Sequence, residues 1–220
     1  ESQDGGIELR RDPVRYLIAA SRGRVRPPVD HPAQGPAPSW GVALRALPAL
    51  LPPFPPQRST AAQRMGAEAK GPRRRRVLLA PFIPLMRSPE LMGHVQRIGE
   101  YLRFRSAMGV RLTELAILVT ASEWQQAVEW AIHAPIAQRE GIADDTIAAI
   151  ARRERPAHLA DDEAAVYDVC IELHRERRVS DATWARAIAH FGEPGVVDLV
   201  GINGYYALLA MVMNAARTPA

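Results

Sequence analysis

Apolar and polar positions change habit part-way along the chain. From Ser88 onward they recur at the three-to-four-residue spacing of amphipathic helices, and no stretch alternates as a strand would or carries a hairpin dipeptide. Ser88-Pro89-Glu90 reads as an N-cap, a proline at the first helical position and an acid in the first turn. The helix that follows, LMGHVQRIGEYLRF, sets Leu91, Val95, Ile98 and Leu102 on one side. A second helix is predicted from about Val110 to Ala121, with Leu112, Leu115, Ile117, Leu118 and Val119 largely buried. A third runs from about Trp124 to Glu140 and stops at Gly141; Pro135 inside it predicts a kink or break near Ala134. Asp144 or Asp145 caps a short helix through Ile147 and Ile150, and ARRERPAH is a loop. Asp161 or Asp162 caps the next helix, with Val166, Val169, Cys170 and Leu173 inward. Ser180 caps another, holding Trp184 and Ile188 and closed by FGEPG. The last runs from about Gly195 to Ala216. The class is all-α, about seven helices with short connections.

That last segment, VVDLVGINGYYALLAMVMN, has a membrane span as its rival reading. Asp198, Asn203 and Gly204 interrupt it and its length is marginal, so burial in a helical core or a subunit interface is the expectation.

The first third behaves differently. HPAQGPAPSW and LPPFPPQRST hold too much proline for a helix or a central strand, and GVALRALPALL is too short and interrupted to cross a bilayer. Composition divides at the same place. Residues 1–76 carry 14 Lys+Arg against 6 Asp+Glu, whereas residues 77–220 carry 14 against 18, so the overall +4 averages a basic arm and an acidic body. Twelve of the 19 prolines lie at or before Pro72. Residues 1–76 are therefore expected to be a disordered or non-native Pro/Arg-rich extension, with 77–220 as the helical domain. Met65 is the first methionine, which leaves 1–64 as either a disordered extension or an upstream frame read in error. The RRRR run at 73–76 has no interleaved aromatic residue and reads as a solvated charge cluster, so neither nucleic acid nor a membrane is expected as a partner. YLIAA after Arg15 is too short for a signal-peptide core, and a cytoplasmic location is expected. A single cysteine, Cys170, excludes an intrachain disulfide framework, and its helical apolar setting reads as a buried small hydrophobe.

The segment RLTELAILVTASEWQQAVEWAIH carries the chemistry. It contains the run Glu114-x11-Gln126-x2-Glu129-x3-His133. Glu129 and His133 stand four apart, on one face of a helix, and a carboxylate beside an imidazole can handle a proton near neutral pH. By itself the same pair could equally be an ordinary i,i+4 contact worth a few tenths of a kcal/mol.

Residues 81–217 resemble the carboxymuconolactone decarboxylase-like family, which includes the alkylhydroperoxidase D-like proteins. The resemblance is carried by PFIPLMRSPELMGHVQRIGEYLRF, by RLTELAILVTASEWQQAVEWAIHAPIAQREGI and by DEAAVYDVCIELHRERRVSDATWARAIAHFGEPGVVDLVGINGYYALLAMVMNA, in that order. It implies an alkylhydroperoxidase D-like helical bundle in a soluble bacterial protein, assembled as a homo-oligomeric trimer or hexamer. In the peroxidase branch the pattern is Glu-x11-Cys-x2-Cys-x3-His. Here Glu114 and His133 fall at the relay positions, while Gln126 and Glu129 take the two cysteine positions. Neither can form a sulfenic acid or a disulfide, so the dithiol cycle cannot run on them.

The resemblance instead implies a small-molecule substrate, a lactone acid or cyclic carbonyl compound, and no metal or organic cofactor. His133 would be the general acid/base, Glu129 its partner or orienter, and Glu114 a relay from the preceding helix. Arg87 and Arg111 are candidate grips for a substrate carboxylate, since a guanidinium can make two parallel bonds to one, and Arg97 is more simply a surface pair. Trp124 and Trp130 could line an apolar pocket or simply belong to the core. A divalent ion on the two carboxylates and the imidazole is a further option. A non-catalytic helical oligomer that binds a ligand is the rival from a different class. His94, His158, His174 and His190 are expected to be solvated.

Overall fold

The computed structural model describes residues 81–218, together with Pro38, Leu50 and Leu51. The expected Pro/Arg-rich extension otherwise lies outside the described residues. Among those described, the protein is all-helical, in seven elements: α1 (Phe82–Leu85), α2 (Pro89–Phe104), α3 (Gly109–Glu123), α4 (Ala127–Arg139), α5 (Asp144–Ala151), α6 (Asp161–Arg175) and α7 (Asp181–Ala216). The count agrees with the pattern along the chain, although its members differ. The short α1 was not foreseen, and the last two expected helices run together as α7.

The junction within α7 falls where FGEPG predicted a stop. Gly192 adopts φ 65° and ψ 174°, a conformation closed to most side chains, and Pro194 follows it. The backbone therefore bends there, and the two helical pieces continue on either side. Pro135 does not interrupt α4, which runs from Ala127 through to Arg139. The expected break near Ala134 is absent, and the helix is buried on both sides of the proline, through Trp130 and His133 before it and Ile136 and Ala137 after it. Gly141 at φ 95° follows the end of α4, as expected of a helix stop.

Two of the expected caps are shifted by a residue. Ala143 and Ala160 are the N-caps of α5 and α6, and Asp144, Asp145, Asp161 and Asp162 lie in the first turns, where they complement the helix dipole. Glu163 at the third helical position of α6 accepts from the Ala160 N–H (3.2 Å), half of a capping box. Ser180 caps α7 as expected, its hydroxyl accepting from the Thr183 N–H.

α3 is the axis of the domain. Every residue from Leu112 to Ser122 is buried, so this helix has no free face, and α4, α6 and α7 pack around it. Most of its polar side chains find partners inside the protein, although the Thr113 hydroxyl has none among the described residues. Ser122 donates to the Ile150 carbonyl (2.6 Å), and Thr120 donates to the Ala116 carbonyl (2.9 Å). Thr120 also lies 3.2 Å from Asn203 Oδ1 and 3.1 Å from His174 Nε2. His174 is thus half-buried and engaged, not solvated as expected, while His94, His158 and His190 are exposed.

The two interruptions of the apolar α7 run are both satisfied. Asp198 accepts from the Tyr101 hydroxyl (3.1 Å) and the Ala107 N–H (2.9 Å), which ties the α2–α3 connection to α7. Asn203 donates to the Leu199 carbonyl (2.8 Å) and to Cys170 Sγ (3.2 Å). By length and composition α7 would pass as a membrane span, with a window of mean hydropathy 1.6, yet 56% of that window is buried against the rest of the protein. Leu50, earlier in the chain, donates to the Ala216 carbonyl at its end (2.8 Å).

α2 buries a different stripe from the one expected. Met92, Val95, Gly99 and Leu102 face inward, while Leu91 and Ile98 are 45% and 50% exposed. The reason is a close crossing with α7. A Cβ on Gly99 would stand 2.2 Å from the Tyr205 hydroxyl oxygen, and one on Gly201 would stand 3.2 Å from Leu102. α2 therefore presents Gly99 to α7 and turns Ile98 outward.

This crossing yields a paired expectation. Gly99→Ala drives a methyl into the end of a rigid phenol and should destabilise the fold by about 1–3 kcal/mol. Gly204→Ala, on the same helix as Tyr205 but with open space where its Cβ would go, should stabilise it by roughly 0.5–1 kcal/mol through helix propensity. Urea unfolding of both variants checks this, and equal effects of like sign would show that the α2–α7 crossing is not held by that contact.

Candidate functional site

The run singled out in the sequence closes into one cluster. Glu114 comes from the middle of α3, and Glu129 and His133 from successive turns of α4. The corner between them is fixed by Gln126, which is the N-cap of α4. Its side-chain oxygen accepts from the Val128 N–H (2.8 Å), and its amide nitrogen donates to Asn214 Oδ1 on α7 (2.7 Å). Asn214 in turn donates to the Trp124 carbonyl (2.9 Å). Gln126 is therefore a helix cap and a strut to α7.

His133 sits between two carboxylates. Its Nδ1 donates to Glu114 Oε2 at 2.6 Å, and its Nε2 lies 3.2 Å from Glu129 Oε2. All three side chains are at most 3% exposed. The Tyr206 ring meets the imidazole edge-on, with centroids 5.2 Å apart, and Tyr205 packs edge-on against Tyr206 at 5.1 Å. Burial by itself would push the imidazole pKa down. The charges and hydrogen bonds of Glu114 and Glu129 outweigh it and hold the group up at about 9. His133 is thus an imidazolium at neutral pH and not, as its ordinary value suggested, poised between its two forms. Burial pushes both tyrosines well above their usual range, so they stay neutral hydroxyls.

A fourth charged group completes the cluster. Arg103, in the last turn of α2, interacts electrostatically with Tyr206, Glu114, Glu129 and Tyr205. Two carboxylates, an imidazolium and a guanidinium sum to no net charge, which makes their burial tolerable. The sequence offered a faint sign of this residue. Arg103 stands four places after Gly99 and next to Leu102, at the edge of the stripe that α2 buries. Tyr205 and Tyr206 gave another, as two adjacent hydroxyls in the least polar stretch of the chain.

The expected anion grips are occupied elsewhere. Arg111 pairs with Asp162 and Glu163 at the start of α6, acids that the dipole of that helix already places there. Arg87 donates to the Ile83 carbonyl (3.2 Å) in α1. Neither is gathered round His133. Trp130 belongs to the hydrophobic core, and Trp124 ends α3 at the corner held by Asn214. As for a metal, no group of three or more His, Cys, Asp or Glu side chains among the described residues is arranged to hold an ion. The physical reason is plain: an imidazolium with both nitrogens turned to carboxylates has no lone pair to give.

No protein-family model, curated protein or solved structure matches the chain.

The raised pKa fixes a pH dependence. A folded value of about 9 against an ordinary value of 6.5 means that this contribution to stability is complete below about pH 6.5. It is lost as the pH rises through 9. The imidazole ¹⁵N resonances should show both nitrogens protonated at pH 7.5, with a titration midpoint near 9, and His133→Phe should flatten the fall in urea stability between pH 7 and pH 9.5. A neutral imidazole at pH 7.5 would contradict the ion row.

Proposed function

We propose that this chain is an enzyme of the carboxymuconolactone decarboxylase-like kind, a carbon–carbon lyase by class, acting by proton transfer on a small anionic lactone or cyclic carbonyl compound. The observation that carries the reading is the buried row Glu114–His133–Glu129. Its members supply a proton donor and a proton acceptor side by side, away from water, where charge interactions are strongest.

The roles follow from the hydrogen bonds. Glu114 holds Nδ1 and so fixes the plane of the ring. His133, charged at rest, is the donor. Glu129, with one oxygen toward the imidazole and the other without a protein partner, is the acceptor. In a decarboxylation the bond to the carboxyl carbon breaks, its electron pair passes into the conjugated carbonyl system, and carbon dioxide leaves. The resulting carbanion takes a proton from His133, which solvent later replaces. A double-bond shift would use the same pair, with Glu129 removing the proton and His133 returning one. Since the row is almost wholly enclosed, a substrate reaches it only when a neighbouring group moves. Arg103 is half-buried and extends from the surface to the cluster, so it is suited to that movement.

The reading extends to assembly as a homo-oligomer, a trimer or hexamer. Supporting this are outward apolar side chains on two adjoining helices, Leu91 and Ile98 on α2 and Val197 and Met211 on α7, each at least 45% exposed. Light scattering that gives a monomer at micromolar concentration would remove this part.

Peroxidase chemistry has little support. Cys170 is fully buried, burial pushes its thiol up to about 12 despite the Asn203 hydrogen bond, and the thiol is therefore not a nucleophile near neutral pH.

A screen of lactone acids and cyclic keto acids against wild type, His133→Ala, Glu129→Gln and Cys170→Ser tests the proposal. Wild type and Cys170→Ser should turn over the same compound, with His133→Ala and Glu129→Gln slower by about 10²–10⁴-fold. Equal rates in wild type and His133→Ala would end the acid–base role, and hydroperoxide turnover lost in Cys170→Ser would revive redox chemistry.

A further inference from the structure

Two enclosed polar atoms in this cluster have no hydrogen-bond partner among the protein groups described: Nη2 of Arg103 and Oε1 of Glu129. One is a donor and the other an acceptor. Buried polar atoms are nearly always paired, and an Arg and a Glu held within reach of each other would ordinarily pair directly. Here each is held by something else. Glu129 is tied through Oε2 to His133 (3.2 Å). Arg103 is drawn toward the Phe104 ring, with its guanidinium carbon 5.6 Å from the ring centre.

The backbone explains how the guanidinium comes to stand there. Helical side chains lean back toward the N-terminus, so Arg103 lies over the turn that contains Gly99. Gly99 is where the Tyr205 hydroxyl sits, 2.2 Å from the place of an added Cβ. From there the two rings lead to the ion row: Tyr205 packs edge-on against Tyr206 (5.1 Å), Tyr206 meets the His133 imidazole edge-on (5.2 Å), and Arg103 interacts electrostatically with both tyrosines and with Glu129.

We propose that Arg103 Nη2 and Glu129 Oε1 form a subsite for a small hydroxy- or enol-carboxylate, the carboxylate taken by Arg103 and the adjoining hydroxyl donated to Glu129. A carboxylate alone would satisfy the guanidinium and leave Oε1 facing a negative charge. A neutral alcohol would satisfy Oε1 and leave the guanidinium unpaired. A ligand with both groups on neighbouring atoms answers both needs. This assignment rests on the proposed acid–base reading, because it puts the ligand carbon that bears the hydroxyl beside His133. It makes Arg103 a substrate-binding residue, in place of Arg87 and Arg111.

The test uses the full chain and needs no turnover. Glycolate carries both groups, acetate only the carboxylate and methyl glycolate only the hydroxyl. Each is titrated into ¹⁵N-histidine-labelled protein while the His133 ring resonances are followed. Glycolate should shift them saturably, with a Kd at least about tenfold below that of acetate or methyl glycolate, since a charged hydrogen bond left unmade is worth about that much. Arg103→Lys keeps the charge that the cluster needs but loses the forked geometry, and should weaken glycolate by about tenfold. Absence of a saturable shift, an unchanged Kd in Arg103→Lys, or methyl glycolate binding as tightly as glycolate would each overturn the subsite. Should Arg103→Lys not fold, the three-ligand comparison on the wild type decides by itself. The two proposals fail separately: His133-dependent turnover without this binding pattern removes the subsite and leaves the acid–base pair, while the binding pattern without turnover of any screened compound does the reverse.

Discussion

A carboxylate buried on a helix with no free face is the constraint from which the rest follows. Glu114 lies at the centre of α3, 2% exposed, with residues on either side of it packed into the core. An unpaired charge in such a place is untenable, so α4 must bring His133 to it, and bring it protonated. One imidazolium between two carboxylates still leaves a negative charge inside. Arg103 on α2 neutralises it, and α2 can come close enough only because Gly99 admits the Tyr205 hydroxyl of α7. Four helices are thereby committed to one arrangement by two buried carboxylates that share one imidazolium. The placement of α2 against α7, which looks like ordinary helix packing, is part of the same solution.

The second polar layer of α3 answers to the same rule with neutral groups. Thr120, Asn203, Cys170 and His174 bond one another across α3, α6 and α7, and Ser122 reaches the end of α5. These bonds join uncharged partners, all supplied by the protein, and their place near the far end of α3 keeps them apart from the ion row. Burial pushes the His174 imidazole down, whereas the carboxylates carry His133 up. Two imidazoles packed against one helix are thus shifted in opposite directions: burial outweighs the pull of Glu123 on His174, whereas two directly bonded carboxylates outweigh burial at His133.

How much of this could be read along the chain depended on whether a signal was local. Helical periodicity gave the class, α3's buried run and the i,i+4 pair of Glu129 and His133, because each depends on residues within a few turns of one another. Glu114 was named from a family pattern, since nothing within its own helix says that it will meet an imidazole nineteen residues later. Arg103 escaped because its partners lie on three other helices. The buried stripe of α2 departs from the hydrophobic pattern for a related reason. Leu91 and Ile98 outrank Gly99 on any scale of hydrophobicity, and only the approach of Tyr205 makes glycine the inward residue. Arg87 and Arg111 are plausible grips by residue type, but the Ile83 carbonyl that Arg87 bonds and the acids of α6 that Arg111 pairs with are set by the path of the chain. The alanine caps of α5 and α6 show the limit at the finest scale: aspartates are as useful one step inside a helix as at its cap, so composition does not choose between them.

A buried ion row can exist solely to fix how helices pack, and what separates that case from a working site is completeness. A network that serves only architecture does best when each atom is paired within the protein, because a half-satisfied network is worse than an apolar core. The Thr120–Asn203 layer approaches that condition. The ion row does not: Glu129 gives one oxygen to His133 and keeps the other enclosed without a protein partner, and Arg103 keeps an enclosed nitrogen in the same state. The deficits are complementary, one donor and one acceptor. A fold that needed only to neutralise Glu114 had no cause to bury Glu129 as well, since His133 alone would have answered it. The second carboxylate raises the cost of the cluster and is tolerable only with a second cation. That surplus of paired charge, arranged round a proton that can be given and an oxygen that can take one, is what packing alone does not require, and it is the ground on which proton transfer is proposed.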